Sequence, residues 1–443
     1  MTKLPPGWTL ASLEELAAPS PRSITDGPFG SNLKTEHYTD TGPRVVRLQN
    51  IGDGTFHNHR SHISEERYQH LLAHDVQPGD VLVAALGEIL PRACVAPEWL
   101  GPAIVKADCF RFRLRHDVNP HFVAAILNSP QVRSAASTQI AGVGRPRMNL
   151  GKVRGLTIPV PPPSEQGRIV AVIGEHFSRL DGAAASLGSA SVRLRSLRRA
   201  ALGLAVANGE ERSLAELLDD IIAGKSFRTD GRSARPDEWG VIKVSAMTWG
   251  RFLEEENKAV PATAMIDPSF EIRPGDVLLS RANTSAYVGA TVYVEHCRPR
   301  LLLSDKSMRL LARPEVDPRW LNYALNSPAV RRQMSLVATG TSDSMRNISQ
   351  EKVKRLELRV PPIADQRLLV DEIERRLTLI DSLATTIVRA LTRLDHVRRG
   401  ILQQAFSGQL VAQCATESPA SEFTHGPRGA YREPNSPPRR KWI

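Results

Sequence analysis

The chain repeats itself at long range, and that constrains its fold more than any other feature. Gln77-Pro78-Gly79-Asp80-Val81-Leu82 returns as Arg273-Pro274-Gly275-Asp276-Val277-Leu278, an offset of 196. Leu127-Asn128-Ser129-Pro130 returns as Leu325-Asn326-Ser327-Pro328 at 198, and Val160-Pro161-Pro162-Pro163-Ser164-Glu165-Gln166 as Val360-Pro361-Pro362-Ile363-Ala364-Asp365-Gln366 at 200. Three blocks in the same order with a drift of four residues mean an internal duplication, which fixes the architecture before any local reading. Each copy opens with an expected helix, at Ser12-Leu13-Glu14-Glu15-Leu16 and at Ser213-Leu214-Ala215-Glu216-Leu217. A glycine-containing loop follows (Asp26-Gly27-Pro28-Phe29-Gly30-Ser31; Ala223-Gly224-Lys225-Ser226-Phe227), then β-branched runs at Val45-Val46-Arg47-Leu48 and Val241-Ile242-Lys243-Val244 that read as strands. A Pro-Gly-Asp turn, a further strand, a helix stopping near Asn-Ser-Pro and a polar loop lead to a last strand ending at Val160 or Val360. Proline closes each globular part because it continues neither a helix nor a central strand.

The segment after each proline run has a different period. Ile173, Leu180, Leu187, Leu194 and Ala201 recur every seven residues, as do Ile373, Ile380, Ile387, Leu394 and Ile401. Ala183, Ala190, Leu197 and Leu204, then Leu383, Ala390 and Val397, are the expected companions on the second seam position. Five heptads make a coiled-coil seam. Each helix of roughly 40 residues is about 60 Å long at 1.5 Å per residue. An apolar stripe of that length needs a partner, and the nearest is the other copy, antiparallel about a pseudo-two-fold axis with the globular modules at opposite ends. The alternative is that each helix packs on its own module. The expected fold is therefore α+β: two tandem globular α/β domains (1–160 and 210–360), two long helices (163–208 and 363–410) and a disordered Pro- and Arg-rich tail (411–443).

Charge narrows the partner. The chain carries a net +11, of which the last 33 residues, with five Lys/Arg and three Asp/Glu, supply only +2. The remainder points to a polyanion such as nucleic acid, the alternative being charge that serves solubility alone. Four cysteines without CxxC spacing (Cys94, Cys109, Cys297, Cys414) fit a reducing cytosol. With no signal region in residues 1–10 and no apolar run long enough to span a bilayer, the expected location is cytoplasmic, away from membranes.

Several motifs resemble catalytic or nucleotide sites without completing them. Ala223-Gly224-Lys225-Ser226 has Asp219 where a phosphate-binding loop needs its first glycine, and Arg147 stands where a dinucleotide fingerprint beginning at Gly142 needs its third. Pro236-Asp237 with Glu256-Asn257-Lys258 has the letters of a Mg²⁺-dependent nuclease, but its neighbourhood is acidic and the first copy has nothing equivalent. His57, His59 and His62 read as a polar loop rather than a metal site. No Asn/Asp-Pro-Pro-Tyr/Phe motif of an amino-methyltransferase occurs. No catalytic residue and no metal is expected.

What remains are residues suited to DNA, since phosphates attract Lys and Arg while base edges favour Arg or Lys at guanine and Asn or Gln at adenine. In the first copy these are Lys34, Arg44, Arg47, Gln49, Asn50, Arg145, Arg147 and Asn149. In the second they are Lys225, Arg228, Lys243, Arg281, Asn283, Arg346 and Asn347. Each alone reads equally well as a solvated surface group.

A module, a Val-Pro-Pro-x-x-x-Gln step and a long helix, said twice, resembles the specificity subunit of Type I restriction–modification enzymes. The resemblance runs from about Leu4 to Leu410 and is carried by Asp26-Gly-Pro-Phe-Gly-Ser31, Arg273-Pro-Gly-Asp-Val-Leu-Leu-Ser280, the paired Val-Pro-Pro steps and Ala405-Phe-Ser-Gly-Gln-Leu410. It implies that each module is a target-recognition domain reading one half of a split, asymmetric site on double-stranded DNA. It also implies that the paired helices are the ruler between the halves and dock two methyltransferase subunits, which restriction–translocase subunits join. This chain would hold no cofactor, S-adenosylmethionine belonging to the methyltransferase. The copies differ most at Leu86-Gly87-Glu88-Ile89-Leu90-Pro91-Arg92 against Ala282-Asn283-Thr284-Ser285-Ala286-Tyr287-Val288-Gly289, which leaves individual base contacts open. A scaffold that gathers partners along its seams, and a nuclease built on Pro236-Asp237, are the competing classes.

Overall fold

The computed structural model describes residues 4–138, 146–248, 250–342, 345–413 and 419–420. The duplication governs it element by element. Strand Thr9–Ser12 pairs antiparallel with Thr157–Val160, and Glu210–Ser213 with Glu357–Val360, so each module's first strand clasps the strand that leads into its long helix. The expected opening helices are shorter than the sequence suggested. Residues 13–16 form a single turn, and Leu214–Leu217 is a four-residue helix. Both are closed by the same capping box: the backbone N–H of Ser12 donates to Glu15 at 2.7 Å, and that of Ser213 to Glu216 at 3.0 Å. Each turn ends where the chain enters the next strand pairing, Ala17 with Leu114 and Leu218 with Ala312.

Each module is built on a four-stranded sheet. In the first the strands are Ile24–Asp26, Cys109–Phe112, Val81–Ala84 and Arg92–Val95, in that order. In the second they are Leu218–Ala223, Ser307–Ala312, Val277–Ser280 and Thr291–Tyr293. The central strands Val81–Ala84 and Val277–Ser280 are buried at every residue because both faces are covered. One face packs on helix Pro120–Leu127 or Pro318–Asn326 and on a long helix; the other covers a smaller core around Leu82 and Cys109, or Leu278 and Leu301. Asn-Ser-Pro does more than stop a helix. Ser129 and Ser327 cap a second one, Pro130–Ser137 and Pro328–Val337, and proline suits its first position. Asn128 in turn trades two hydrogen bonds with the backbone of Ala93, and Asn326 does so with Thr291, completing the edge strand of each sheet.

The long helices span Pro163–Gly203, followed by a short 3₁₀ turn Leu204–Val206, and Ile363–Phe406. Their roots are fixed by the repeated glutamine. Gln166, 1% exposed, accepts from the Asn119 N–H at 2.8 Å and donates to the Pro161 carbonyl at 3.0 Å. Gln366 does the same with Asp317 and Pro361 at 2.8 and 2.9 Å. One amide thus satisfies two backbone groups at once, a carbonyl of the proline run and the N–H at the start of the module's helix.

Among the described residues two compact units result, and they cut across the sequence segments: one joins residues up to 185 with those from 391 on, the other is 186–390, and most of the expected tail, 411–443, lies outside the described residues. Each holds a module, the start of its own helix and the end of the other helix. Within each unit the helices run antiparallel. In the second, Leu194 packs with Ile380 and Ile387, while Ala205 shares a core with Val370 and Ile373. In the first, Ile169 and Ile173 share a core with Ile401, Leu402 and Phe406, and Arg398 pairs with Asp181 and lies 4.4 Å above the Phe177 ring. Arg198 and Asp381 make the equivalent pair in the second unit.

The seven-residue seam is buried at Ile173, Leu194, Ala201, Ile373, Ile380, Ile387 and Ile401 and half-buried at Leu180, Leu187 and Leu394. Its companion row differs from expectation. Ala183, Leu197, Leu383 and Val397 are exposed, whereas Phe177, Ala184, Leu377, Ala384 and the stems of Arg198 and Arg398 fill the gaps. The second seam position thus follows the first by four residues in most heptads, while the expected companions Ala190, Leu204 and Ala390 are half-buried at three. Arginine suits it because the stem packs while the guanidinium reaches an aspartate. Ile387→Ala is expected to destabilise the second unit by about 2 kcal/mol, while Leu383→Ala changes stability by less than about 0.5 kcal/mol. Denaturant midpoints followed by circular dichroism check the difference, and equal losses would restore the three-residue phase.

Candidate nucleic-acid interface

The sheet of each module brings several loops to one end. In the first module, Ala84 pairs with Cys109 and Asp26 with Phe110, so the segments after residues 26 and 84 and before 109 converge. Tyr38–Val46 lies parallel to Ala103–Val105, and the Lys106 N–H donates to the Val46 carbonyl, which brings Arg47 and Lys106 to neighbouring strand ends. Residues 146–148 close against them: Leu86 bridges Arg147, and the Met148 N–H donates to the Ala85 carbonyl at 2.9 Å. In the second module the same end gathers Lys225, bridged to Ser304, and Arg281, whose backbone bonds both Lys306 and Ile348. There the polar loop is a β-sheet in its own right. Ala282–Asn283 pairs with Met345–Asn347, which pairs with Thr339–Ser342, so Asn283 lies opposite Arg346 and Ala282 opposite Asn347.

The glycines of this end are used for close approach. A Cβ on Gly27 would stand 1.9 Å from the Lys106 carbonyl carbon, and one on Gly224 would stand 2.1 Å from the Ser304 oxygen. The Gly224-Lys225-Ser226 string is thus a crossing of two backbones at the same point in both copies, and no phosphate loop is needed to explain it.

The basic candidates come paired with acids. Arg147, half exposed, meets Asp108 at 2.7 Å and lies over the Phe29 ring at 5.8 Å. Lys225 is 4.0 Å from Asp267 and 4.6 Å from the centre of the Phe270 ring. Lys243 stands 3.4 Å from Glu256, and Lys34 3.4 Å from Glu36. Ser245 donates to Glu256 at 2.5 Å, and that bond, with Lys243 second, holds the carboxylate below its ordinary range. Exposed pairs of this kind are each worth about 0–1 kcal/mol. They orient a side chain yet release it easily to a phosphate.

Other candidates are placed differently. Asn50 is 2% exposed; it accepts from the Arg47 N–H and donates to the carbonyls of His57 and His59 at 2.8 and 2.7 Å. It builds the loop that carries its exposed neighbour Gln49 and is withdrawn as a base contact. Asn149 caps helix Leu150–Arg154, and Asn283 bonds Ser280 and the N–H of Thr284. Arg47 reaches Ser61 at 3.3 Å. Arg44 bonds Asn58 at 2.5 Å and stacks 5.5 Å over Trp99, away from the convergent end; burial, with Arg60 nearby, lowers its pKa. Arg228 is exposed, and Arg145 lies outside the described residues. Phe29, Lys106, Asp108 and Lys306 are members of this end that residue-type reasoning missed. Aligning the copies on the offset of 198 would have flagged one pair, because it sets Asp108 against Lys306.

No nuclease geometry forms around Pro236-Asp237. A short strand, Asn257–Ala259, does exist there, but Lys258 is exposed, the Asp237 carbonyl accepts from Arg300, and Glu256 is engaged by Ser245 and Lys243. Among the described residues no three His, Cys, Asp or Glu side chains are placed to hold a metal ion. His57 and His59 make an edge contact at 6.4 Å, and His62 bonds the Gly42 carbonyl.

Comparison with known proteins adds a family of relatives. No family model matches the chain. It is 28% identical over 196 residues to the specificity subunit of the Type I restriction enzyme EcoEI from Escherichia coli, a match covering 44% of this chain and 33% of that relative. To the EcoKI specificity subunit, also from Escherichia coli, it is 23% identical over 449 residues, covering 94% of this chain and 92% of the relative. The StySPI specificity subunit of Salmonella potsdam matches at 21% over 451 residues, with the same coverage. Among solved structures, one concerned with complex assembly and conformational transition of the type I R-M system matches at TM-score 0.71 and 20% identity, covering 93% of this chain and all of that one. The HsdS subunit from Thermoanaerobacter tengcongensis matches at 0.54 and 20%, covering 92% and 98%. At these identities the two structures speak for the fold.

The Asn50 assignment has a direct check. Asn50→Ala strands one N–H and two carbonyls and is expected to cost about 1–3 kcal/mol, whereas Gln49→Ala stays within about 0.5 kcal/mol. Thermal unfolding of the two variants distinguishes them, and a neutral Asn50→Ala would return the residue to the surface candidates.

Proposed function

We infer that this chain, a relative of the specificity subunits of Type I restriction enzymes along nearly its whole length, is the DNA sequence-recognition subunit of a Type I restriction–modification complex. The observation that carries the reading is the convergent end of each module. The same strand ends twice gather Lys and Arg side chains, joined by Asn283 and Asn347 in the second module, around the loop that differs most between the copies. Residues of that kind supply phosphate contacts that position and base contacts that specify. Two diverged readers need no palindrome, so the two half-sites differ. Relatives named as specificity subunits support a recognising rather than a catalytic component.

The chain works with other subunits of its system, as the solved relative described through complex assembly supports. Our finer assignment is two methyltransferase subunits seated on the long helices, with restriction–translocase subunits joining them. Its support is an exposed apolar flank. Leu368, Leu379 and Leu383 are 68%, 58% and 44% exposed and lie at helical spacing on one side of the second helix. Solvent-facing leucines in such a row call for a protein partner. S-adenosylmethionine would be bound by the methyltransferase and would supply the methyl group there. No helix among the described residues is long and apolar enough to cross a membrane. The free thiols of Cys94, Cys109 and Cys297, raised above the ordinary range chiefly by burial, suit a reducing cytoplasm.

Base-modification sequencing of a methylation-free bacterial host carrying this gene with its flanking genes tests the reading. A split motif modified in both halves, and lost when this gene is deleted, is the expected result. Exchange of residues 210–360 for a related module should change one half-site and spare the other. Absence of any modified motif with all subunits expressed, or a change in both halves after the exchange, would sink the two-reader assignment.

A further inference from the structure

The divergent loops share one restraint. Arg331, in the first turn of helix Pro328–Val337, reaches back to the loop between Ser280 and Thr291. Its Nη1 donates to the Val288 carbonyl at 2.8 Å and its Nη2 to the Ala286 carbonyl at 3.1 Å. Arg133 holds the same place in helix Pro130–Ser137, at an offset of 198. Its Nε donates to the Pro91 carbonyl at 3.1 Å, its Nη atoms to Asp53 at 3.1 and 2.6 Å, and Nη2 to Asn128 at 3.1 Å. The loops have no sequence in common, yet each is gripped at its root by the same guanidinium from the same turn. Asp53 lies in the loop that also carries Gln49, so Arg133 ties together two segments of the candidate interface.

The grip leaves the tips open. Glu88 and Ile89, and Thr284 and Ser285, are exposed ahead of the bonded carbonyls, while Leu90 and Val288 beside the restraint are buried. Neither arginine is what holds its helix in place: Val132 and Ala136, and Val330 and Met334, pack it into the core. A planar fork bonding two carbonyls, or a carbonyl and a carboxylate, fixes orientation as well as distance, which a lysine ammonium cannot reproduce. Reading a base edge needs contacts held to within about 0.5 Å.

We propose that Arg133 and Arg331 are positioning residues that hold the reading loops 86–91 and 284–289 in shape, each setting discrimination at one half-site. The proposal rests on the DNA-reading function above. Its test is base-modification sequencing of the methylation-free host carrying the flanking genes with the full-length chain as wild type, Arg133→Gln, Arg133→Lys, Arg331→Gln or Arg331→Lys. Arg331→Gln should make one half of the motif degenerate, with discrimination at one or more of its positions falling about tenfold and the other half unchanged. Arg133→Gln should do the reverse, and each lysine variant should fall between its glutamine counterpart and wild type. If a glutamine variant fails to accumulate, its lysine counterpart carries the same expectation in milder form. An unaltered motif in folded variants overturns the proposal, and so does a uniform loss across both halves with a lowered thermal midpoint, which is what a merely structural role gives. A wild-type chain that directs no modified motif overturns the DNA-reading assignment and this proposal together.

Discussion

Everything in each unit is hung from one buried amide. The Val-Pro-Pro step ends a strand and starts a helix about 60 Å long, and proline supplies no N–H to help at the joint. Gln166 and Gln366 reach back from the first turn and satisfy an N–H and a carbonyl that would otherwise be stranded away from water. The N–H belongs to Asn119 or Asp317, which caps the next helix of the module. The same side chain therefore fixes where the long helix leaves and where the module's own helix begins. A small angular error there would be magnified along the helix, which is reason enough for a short, fully bonded joint.

The second organising principle is that the duplicated chain builds each unit from both copies' helices. The start of one helix packs on the end of the other, and the aspartates and arginines that meet there, Asp181 with Arg398 and Asp381 with Arg198, are each other's repeats. A seam mostly of isoleucine and leucine at one position, with Phe177, Leu377, alanines and arginine stems at the other, is narrow. It leaves apolar side chains outside, at Leu368, Leu379 and Leu383. At the reading end the logic is similar. Lys and Arg side chains are oriented by weak acidic pairs, while the loops between them are held by arginine hydrogen bonds to backbone carbonyls. Rigid supports with loosely held contact groups suit a surface that must meet both a uniform phosphate backbone and specific bases.

Much of the fold was legible in the sequence because it is written in short-range patterns. Pro-Gly-Asp, Asn-Ser-Pro and the heptads each act within a few residues, and each is stated twice, so the starts of the long helices could be read directly, whereas their ends, expected at 208 and 410, fall at Gly203 and Phe406. The site was less legible. Asn50 has the right chemistry for adenine but is consumed by two loop carbonyls, and nothing in its local sequence says so. Lys106, Asp108 and Lys306 sit in turns that look ordinary until the sheet brings them beside residues 26–29, 146–148 or 281–283.

The sequence by itself determined the duplication, the long helices and the excess of positive charge, since each depends on residue type and spacing along the chain. Only tertiary structure decided the phase of the second seam position, the division into units that cut both helices, the burial of Asn50 and the grip of Arg133 and Arg331 on loops some 40 residues away. The physical reason is the same in each case. Which side of a helix is buried, and which carbonyl an arginine finds, is set by the surface that packs against it, and that surface comes from a distant part of the chain.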